Sequence, residues 1–389
     1  MKCVVFTNTI KKINLHVSNR GLTISALLAL FLFVTISFTQ AQLTTLPNGG
    51  NKKTSVTERV GITDVSIHYD RPGVKGREDK IWGQLIPVGF TDQGFGTSKA
   101  APWRAGSNEN TTIEFSNDVK IEGQDLPAGK YGFFIAYDPA QCTLIFSRNS
   151  SSWGSFFYDP KEDALRVTVK PVALDKSVER LRYEFLDETE NTATIALEWE
   201  KLRIPFKVEV DYVKTQLESF RRELRSDKGF TWNAWVQAAQ FCAQHNTDLD
   251  EGLSWANTAV SAPFIGQKNF QTLSTQAQIL TLLNRQPEAD AAMKEALPLG
   301  TVAEIHQYGR QLLAQKKAKE AFDAFKLNYD KHPNEFTTNV GMARGYSGLG
   351  DYKKALAYMQ KAQAQAPDNA NKGNVEKMIP MLEQGKDIN

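Results

Sequence analysis

The sequence predicts a multidomain chain of mixed class: an all-β antiparallel sandwich, jelly-roll-like, followed by an all-α solenoid of helical repeats. Three observations predict it. Apolar residues recur with period two from Ser55 to Val210, the mark of half-buried strands. After Tyr212 the pattern turns helical and Ala-rich. Near the end, short motifs recur at an offset of 34 residues, a period of stacked helical hairpins. The chain divides into a signal peptide at 1–41, a flexible lead-in at 42–54, the β-sandwich at 55–212, a linker helix at 213–230 and the repeats at 231–389.

The first segment is read from charge and hydropathy. Lys2, Lys11, Lys12 and Arg20 precede an apolar run at 22–38, and the first acid is Glu58. Thr39-Gln40-Ala41 then places small residues where a signal peptidase reads, which predicts export to the periplasm or the outside. The alternative is an inner-membrane anchor, because the run is near the short end of a spanning helix; only then does the chain meet a membrane. Cleavage after Ala41 removes four of the 46 basic residues and none of the 44 acidic ones, leaving a net charge of about −2. That balance excludes a nucleic-acid footprint. Cys142 and Cys242 survive in different segments, so no disulfide framework is indicated.

In the β segment, Val65/Ile67/Tyr69, Ile113/Phe115, Val119/Ile121, Leu144/Phe146 and Leu165/Val167/Val169 alternate with polar partners. So do Tyr183/Phe185, Ile195/Leu197/Trp199 and Phe206/Val208/Val210. Turn chemistry separates them, as at Glu122-Gly123-Gln124-Asp125, Pro127-Ala128-Gly129 and Asp138-Pro139. Many short strands without intervening helices imply a sandwich or barrel.

One long connection interrupts this pattern, between Tyr69 and Thr111. Long connections without secondary structure are usually functional or disordered, and the density of Arg and Trp here argues against disorder. The candidate ligand-binding residues are Arg71, Lys75, Arg77, Trp103, Arg104, Asn108 and Glu109. Arginines bind carboxylates and phosphates bidentately, and a Trp can stack on a sugar or a guanidinium. A small anionic ligand or a glycan is the partner such a loop suits. The other reading is a staple in which Arg71 and Arg104 pair with Asp70, Glu109 or Asp118. Either way the loop is expected to fold back so that its charges meet at one end of the sandwich. Glu109 with Asp70 is the carboxylate pair a glycosidase would need.

Other chemistry finds little support. No two of His16, His68, His245, His306 and His332 are close in sequence, and no metal-ligand spacing occurs. Residues 94–99, Gly-Phe-Gly-Thr-Ser-Lys, lack the spacing of a phosphate loop, and no Gly-x-Ser-x-Gly elbow is present. No metal and no cofactor is expected, and no residue is assigned a catalytic role.

The β segment resembles the domain-of-unknown-function 2911 family. The motifs that carry the likeness are Tyr69-Asp70-Arg71-Pro72-Gly73-Val74-Lys75-Gly76-Arg77, Trp82-Gly83-Gln84-Leu85-Ile86-Pro87 and Trp103-Arg104-Ala105-Gly106-Ser107-Asn108-Glu109. Phe115-Ser116-Asn117-Asp118-Val119, Leu126-Pro127-Ala128-Gly129-Lys130-Tyr131 and Trp153-Gly154 continue it in order. The chain departs at Asp70, where Ser is common, at Ser107, where Ala is common, and by an insertion at 91–101. The resemblance implies an exported bacterial β domain and no established activity.

In the helical segment, Lys319-Glu320-Ala321-Phe322 aligns with Lys353-Lys354-Ala355-Leu356, Phe325 with Met359 and Pro333 with Pro367. With Gly345-Tyr346 and Gly348-Leu349-Gly350-Asp351-Tyr352, this resembles the tetratricopeptide family. Weaker copies precede it at Gly252-Leu253 with Trp255-Ala256, and at Glu288-Ala289 with Met293. About four helix pairs and a capping helix at 374–384 are expected. Trp232, Trp235, Trp255, Phe241, Phe264 and Phe270 read as core. Such stacks bind proteins or peptides along their concave face, although no carboxylate clamp stands out. The sequence therefore supports a binding or scaffold protein of the cell envelope. An envelope hydrolase acting on glycans or peptides through the Arg/Glu loop is the alternative.

Overall fold

The computed structural model describes residues 50–389. The signal peptide or anchor at 1–41 and most of the lead-in lie outside the described residues. Among those described, ten strands come first: β1 (Lys52–Val60), β2 (Thr63–Arg71), β3 (Thr112–Phe115), β4 (Val119–Ile121), β5 (Gln124–Leu126), β6 (Gly129–Ala136), β7 (Cys142–Ser147), β8 (Asp163–Val169), β9 (Val172–Leu186) and β10 (Thr192–Glu209). The first of these begins at Lys52, inside the segment read as lead-in. Lys52 and Lys53 look like loop by composition, yet lysines on an edge strand discourage pairing with other chains.

The strands form two antiparallel sheets, ordered β1-β2-β3-β6-β7-β8 and β5-β4-β10-β9. Alternation sets the register: Val65 faces Phe115 and Ile67 faces Ile113 across β2 and β3. The two inner faces share one core, in which Phe133 of the first sheet meets Phe206 and Tyr183 of the second. β6 is buried on both faces from Tyr131 to Ala136, so it shows no alternation to read.

The runs Ile195/Leu197/Trp199 and Phe206/Val208/Val210 belong largely to one strand, β10. Its pairing to β9 shifts register between Glu198 and Leu202, and Glu200 lies at φ 54°. The bulges move the inward side chains from odd to even positions, which is why one strand reads as two.

Ten helices follow among the described residues: α1 (Tyr212–Glu223), α2 (Trp232–His245), α3 (Leu249–Ser261), α4 (Phe270–Leu282), α5 (Gln286–Ala296), α6 (Val302–Ala314), α7 (Ala318–Lys331), α8 (Phe336–Gly348), α9 (Tyr352–Ala364) and α10 (Asn369–Glu383). Four consecutive pairs, α2–α3 to α8–α9, pack as hairpins, and α10 packs on α9. The last helix starts at Asn369, earlier than the expected 374, because the Asp368 side chain caps it at the Asn371 amide. The 34-residue offset is a packing rule here. Ala321 and Ala355 are fully buried, as are Phe325 and Met359. Gly309 shows why small residues recur at the crossings: a Cβ there would lie 2.5 Å from the Phe325 ring. Phe264, expected in the core, is instead fully exposed, because it falls in the turn after α3 at φ 65°.

Tyr212 packs against the β core, and its ring also meets His245 of α2 at 5.6 Å. Leu217 and Leu224 are buried with Ala238, Ala239 and Cys242, so α1 shares the first helical core. Among the described residues, no helix is long and apolar enough to cross a membrane.

Candidate functional site

The long connection of the β domain is built from both ends. At its start the chain runs beside β9, where the Leu181 amide donates to the Pro72 carbonyl at 3.1 Å and the Val74 amide to the Glu179 carbonyl at 2.8 Å. At its end Trp103 exchanges two main-chain bonds with Ile135 of β6, at 2.9 and 2.8 Å. These anchors decide where its side chains go. The Arg71 Nε donates to the Leu181 carbonyl at 2.8 Å. Arg77 donates to the Val74 and Gly73 carbonyls at 2.9 and 2.7 Å. Lys75 is exposed at φ 53°, and its amide donates to the Glu179 side chain at 3.3 Å.

Arg104 lies elsewhere in the loop. Its Nη1 donates to the Asn108 carbonyl at 2.6 Å, and its guanidinium sits over the Trp153 and Phe156 rings at 5.4 and 5.5 Å. Burial lowers its pKa below the ordinary value. Asn108 holds φ 56°, which aims that carbonyl back at Arg104. Trp103 donates to the Gly106 carbonyl at 3.0 Å and stacks on Trp199 at 6.1 Å, with Trp82 edge-on at 5.6 Å. Glu109 is exposed, whereas Asp70 is 3 % exposed. Arg104, Asn108 and Trp103 are thus brought together with residues 153–156, while Arg71, Lys75 and Arg77 sit along β9. The three arginines each reach main-chain carbonyls, and Arg104 also sits over two rings.

A second constellation adjoins the first. The insertion is closed by a two-bond bridge between Thr91 and Ala101, and it docks on residues 155–156. Phe95 meets Phe156 and Phe157 edge-on at 5.4 and 6.0 Å, and Trp153 stacks on Phe156 at 6.0 Å. Phe95, Trp153 and Phe157 remain more than half exposed. Beside them is an open cavity of about 610 Å³ lined by Phe90, Ser98, Lys99, Tyr158 and Arg166 among others. On its wall the Tyr158 hydroxyl donates to Asp163 Oδ2 at 2.8 Å, and Arg166 binds both groups, at 2.6 and 2.7 Å, over the Phe90 ring. Burial, then the bond to Asp163, raises the Tyr158 pKa well above the ordinary value. None of the seven sequence-derived residues lines this cavity.

Deeper in the β domain, Glu198 is 1 % exposed and accepts from Arg182 at 2.7 and 2.9 Å and from Arg203 at 2.6 Å. Burial alone would raise its pKa; the two arginines outweigh that and hold it below the ordinary carboxylate range.

The helical part carries its own candidate surface. The first helices of successive hairpins, α6 and α8, pack side by side. They place Arg310 and Arg344 close enough to perturb His306, and Arg310 close enough to perturb Arg344. Burial, then the charges of Arg344 and Arg310, lower the His306 pKa to about 4. Arg310 is exposed, and Arg344 is bound by residues 388 and 389.

Sequence reasoning missed the ring cluster, the Tyr158–Asp163–Arg166 group and this helical face. Trp153 was visible in a motif, but nothing local links it to the insertion some fifty residues earlier. Arg310 and Arg344 are one 34-residue period apart, a signal that the repeat offset already contained.

Comparison with known proteins finds a family for the β segment. Residues 51–208 match the model of the family described as "Protein of unknown function (DUF2911)". No curated protein matches. Among solved structures, MamA is 13 % identical, covering 41 % of this chain and 91 % of that one, with a TM-score of 0.30. YrrB, described as a TPR protein with an unusual peptide-binding site, is 15 % identical over 43 % and 88 %, with a TM-score of 0.27. A thermophilic TPR protein of Thermus thermophilus, TTC0263, is 16 % identical over 44 % and 91 %, with a TM-score of 0.29.

Proposed function

We propose that this chain, whose residues 51–208 carry the DUF2911 domain, is an exported binding or scaffold protein of the cell envelope. Its repeats engage a protein or peptide segment on their inner face. Its β domain frames a small anionic or glycan ligand on the aromatic side of the cavity. The observation that carries the reading is the stack of four hairpins whose first helices present Arg310 and Arg344 one repeat apart. Solenoids expose such faces because each repeat packs only on its neighbours. Export is supported by the basic residues, the apolar run at 22–38 and Ala41. Asp70 is buried while Glu109 is exposed, which favours binding over the glycan-cleaving alternative, since a glycosidase needs both carboxylates on one cleft.

Two measurements test this. Fractionation with N-terminal sequencing is expected to find Gln42 first, outside the cytoplasm; a full-length chain in the inner membrane supports the anchor instead. A photo-crosslinking residue at Arg310 is expected to trap a protein partner in cells, and the same residue at Asp323 of α7 is not. Equal yields at both positions would refute an inner-face site.

A further inference from the structure

We propose that residues 386–389 occupy, in cis, a peptide-binding groove on the inner face of the last repeats. The groove's partner in trans is then a protein segment of the same chemistry, an acidic residue followed by a branched aliphatic one in extended conformation. The proposal rests on the reading that the repeats bind protein, and it names what they bind.

The groove is read from α8. Arg344, Ser347 and Gly348 share one helix face by their spacing. The Ser347 hydroxyl donates to Asp387 Oδ1 at 2.7 Å and accepts from the Ile388 amide at 3.1 Å. Arg344 Nη1 donates to the Ile388 carbonyl at 3.2 Å, and the Asn389 side-chain amide donates to the Arg344 carbonyl at 3.1 Å. Side chains of α8 therefore hold both main-chain groups of residue 388. That is how grooves hold extended peptides, with affinity from the main chain and selectivity from a pocket. The pocket is present: Ile388 is 8 % exposed, in a cluster with Val340, Val375 and Leu382. A Cβ placed on Gly348 would meet both Leu313 of α6 and Asn389, so the segment reaches the seam between α6 and α8.

Charge selects the acidic residue. Arg344 and Arg310 gather here beside His306, and Arg310 opposes the charge on Arg344 while Asp387 supports it. The carboxylate of Asp387 thus offsets the positive charge of two arginines that an acidic partner would offset equally. The segment has no regular structure. Five hydrogen bonds to α8, one main-chain bond from Lys386 to Met381 and one aliphatic side chain attach it, a set that another chain can replace. A tethered ligand competes at an effective concentration in the millimolar range for short linkers. The groove of the intact chain is therefore self-occupied against weak partners and open to stronger ones.

The probe is a fluorescein-labelled peptide with the sequence of residues 384–389, followed by anisotropy. A chain shortened after Gly385 is expected to bind it at least ~10-fold more tightly than the intact chain, as release from a tethered competitor requires. Arg344→Ala in the shortened chain is expected to lose most of that affinity, and a peptide with Lys in place of the Asp is expected not to bind. Ile388→Asp in the full-length chain frees the groove without shortening it and is expected to match the shortened chain. Equal peptide binding by the intact and the two altered chains, with helix content retained, overturns the proposal. So does binding that Arg344→Ala leaves unchanged. Unfolding of both altered chains also overturns it, because the segment is then part of the repeat core and not an exchangeable occupant. Crosslinking from Arg310 judges the underlying reading separately: a trapped partner with no peptide binding sinks this inference alone.

Discussion

In the β domain, Arg71, Arg77 and Arg104 end on carbonyls of their own long connection or of the strand beside it. In the repeats, Arg310 and Arg344 stand on rigid helices whose own carbonyls are already used within the helix. A guanidinium in an irregular loop meets many unsatisfied carbonyls and closes on them. A guanidinium on a helix face meets none on its own helix: Arg344 reaches the Ile388 carbonyl of the terminal segment instead, and Arg310 is exposed. The density of arginine in a sequence therefore marks a ligand site less well than the kind of backbone that carries it.

The largest test of that contrast is Arg104→Ala. The change removes a charged hydrogen bond to Asn108 and a cation held over two rings. Such bonds contribute about 1.5–3 kcal/mol, and cation–π contacts about 0.5–2 kcal/mol. We expect the β domain to lose about 2–4 kcal/mol, read from urea unfolding of the full chain by Trp fluorescence. Unaltered stability with loss of a glycan or anionic ligand would make this arginine part of a ligand site and break the contrast.

A pH titration sharpens the other side. His306 has its pKa lowered from 6.5 to about 4, by burial first and then by Arg344 and Arg310. The unfolded chain thus binds the proton more readily. Helical stability is expected to be full above pH 6.5 and to fall as pH drops toward 4, by about 2–3 kcal/mol at most. His306→Leu should flatten this part of the profile. An unchanged slope in the variant would assign the loss to carboxylates instead.

These contrasts explain how far the sequence could be read. Val65, Ile67 and Tyr69 announce their strand because one face is buried and the other is not. β6 hides because both faces are buried, and β10 hides because its bulges reverse the alternation. The repeats were legible because Ala321, Phe325, Ala355 and Met359 each occupy a site that steric packing restricts. The candidate site was legible only in part. The Arg and Trp content between Tyr69 and Thr111 argues against disorder, but composition holds no record of which carbonyl each arginine reaches. The ring cluster needed the insertion to dock on Trp153 and Phe156, a contact between distant segments that no local pattern encodes.

Gly154→Ala probes the same packing more gently. Gly154 holds φ 69°, and a Cβ there would lie 2.9 Å from the Arg104 guanidinium carbon. Ala resists that backbone region and would displace the guanidinium from its rings. A loss of about 1–2 kcal/mol is expected in the same unfolding experiment. In a double-mutant cycle with Arg104→Ala the two losses should add to less than their sum, because the steric part vanishes once the guanidinium is gone. Full additivity would show that Gly154 does not act through Arg104.

Arg310→Ala should change stability least of all. Arg310 is exposed on α6, and its effect on its neighbours is repulsive, lowering the pKa of both Arg344 and His306. Exposed substitutions away from special features stay within about 0.5 kcal/mol, and removing a like charge tends to the stabilising side. The His306 pKa should rise toward its ordinary value, which an NMR titration of the ring protons would detect. Binding should respond in the opposite sense to stability. An acidic partner loses one of the two cations that attract it, so association should slow and its dependence on salt should weaken. Arg104→Ala costs stability because its charge is already used, whereas Arg310→Ala costs binding because its charge is not. If Arg310→Ala instead destabilises the repeats by more than about 1 kcal/mol, this arginine is a structural group like Arg104, and the distinction between loop-borne and helix-borne arginines fails in this protein.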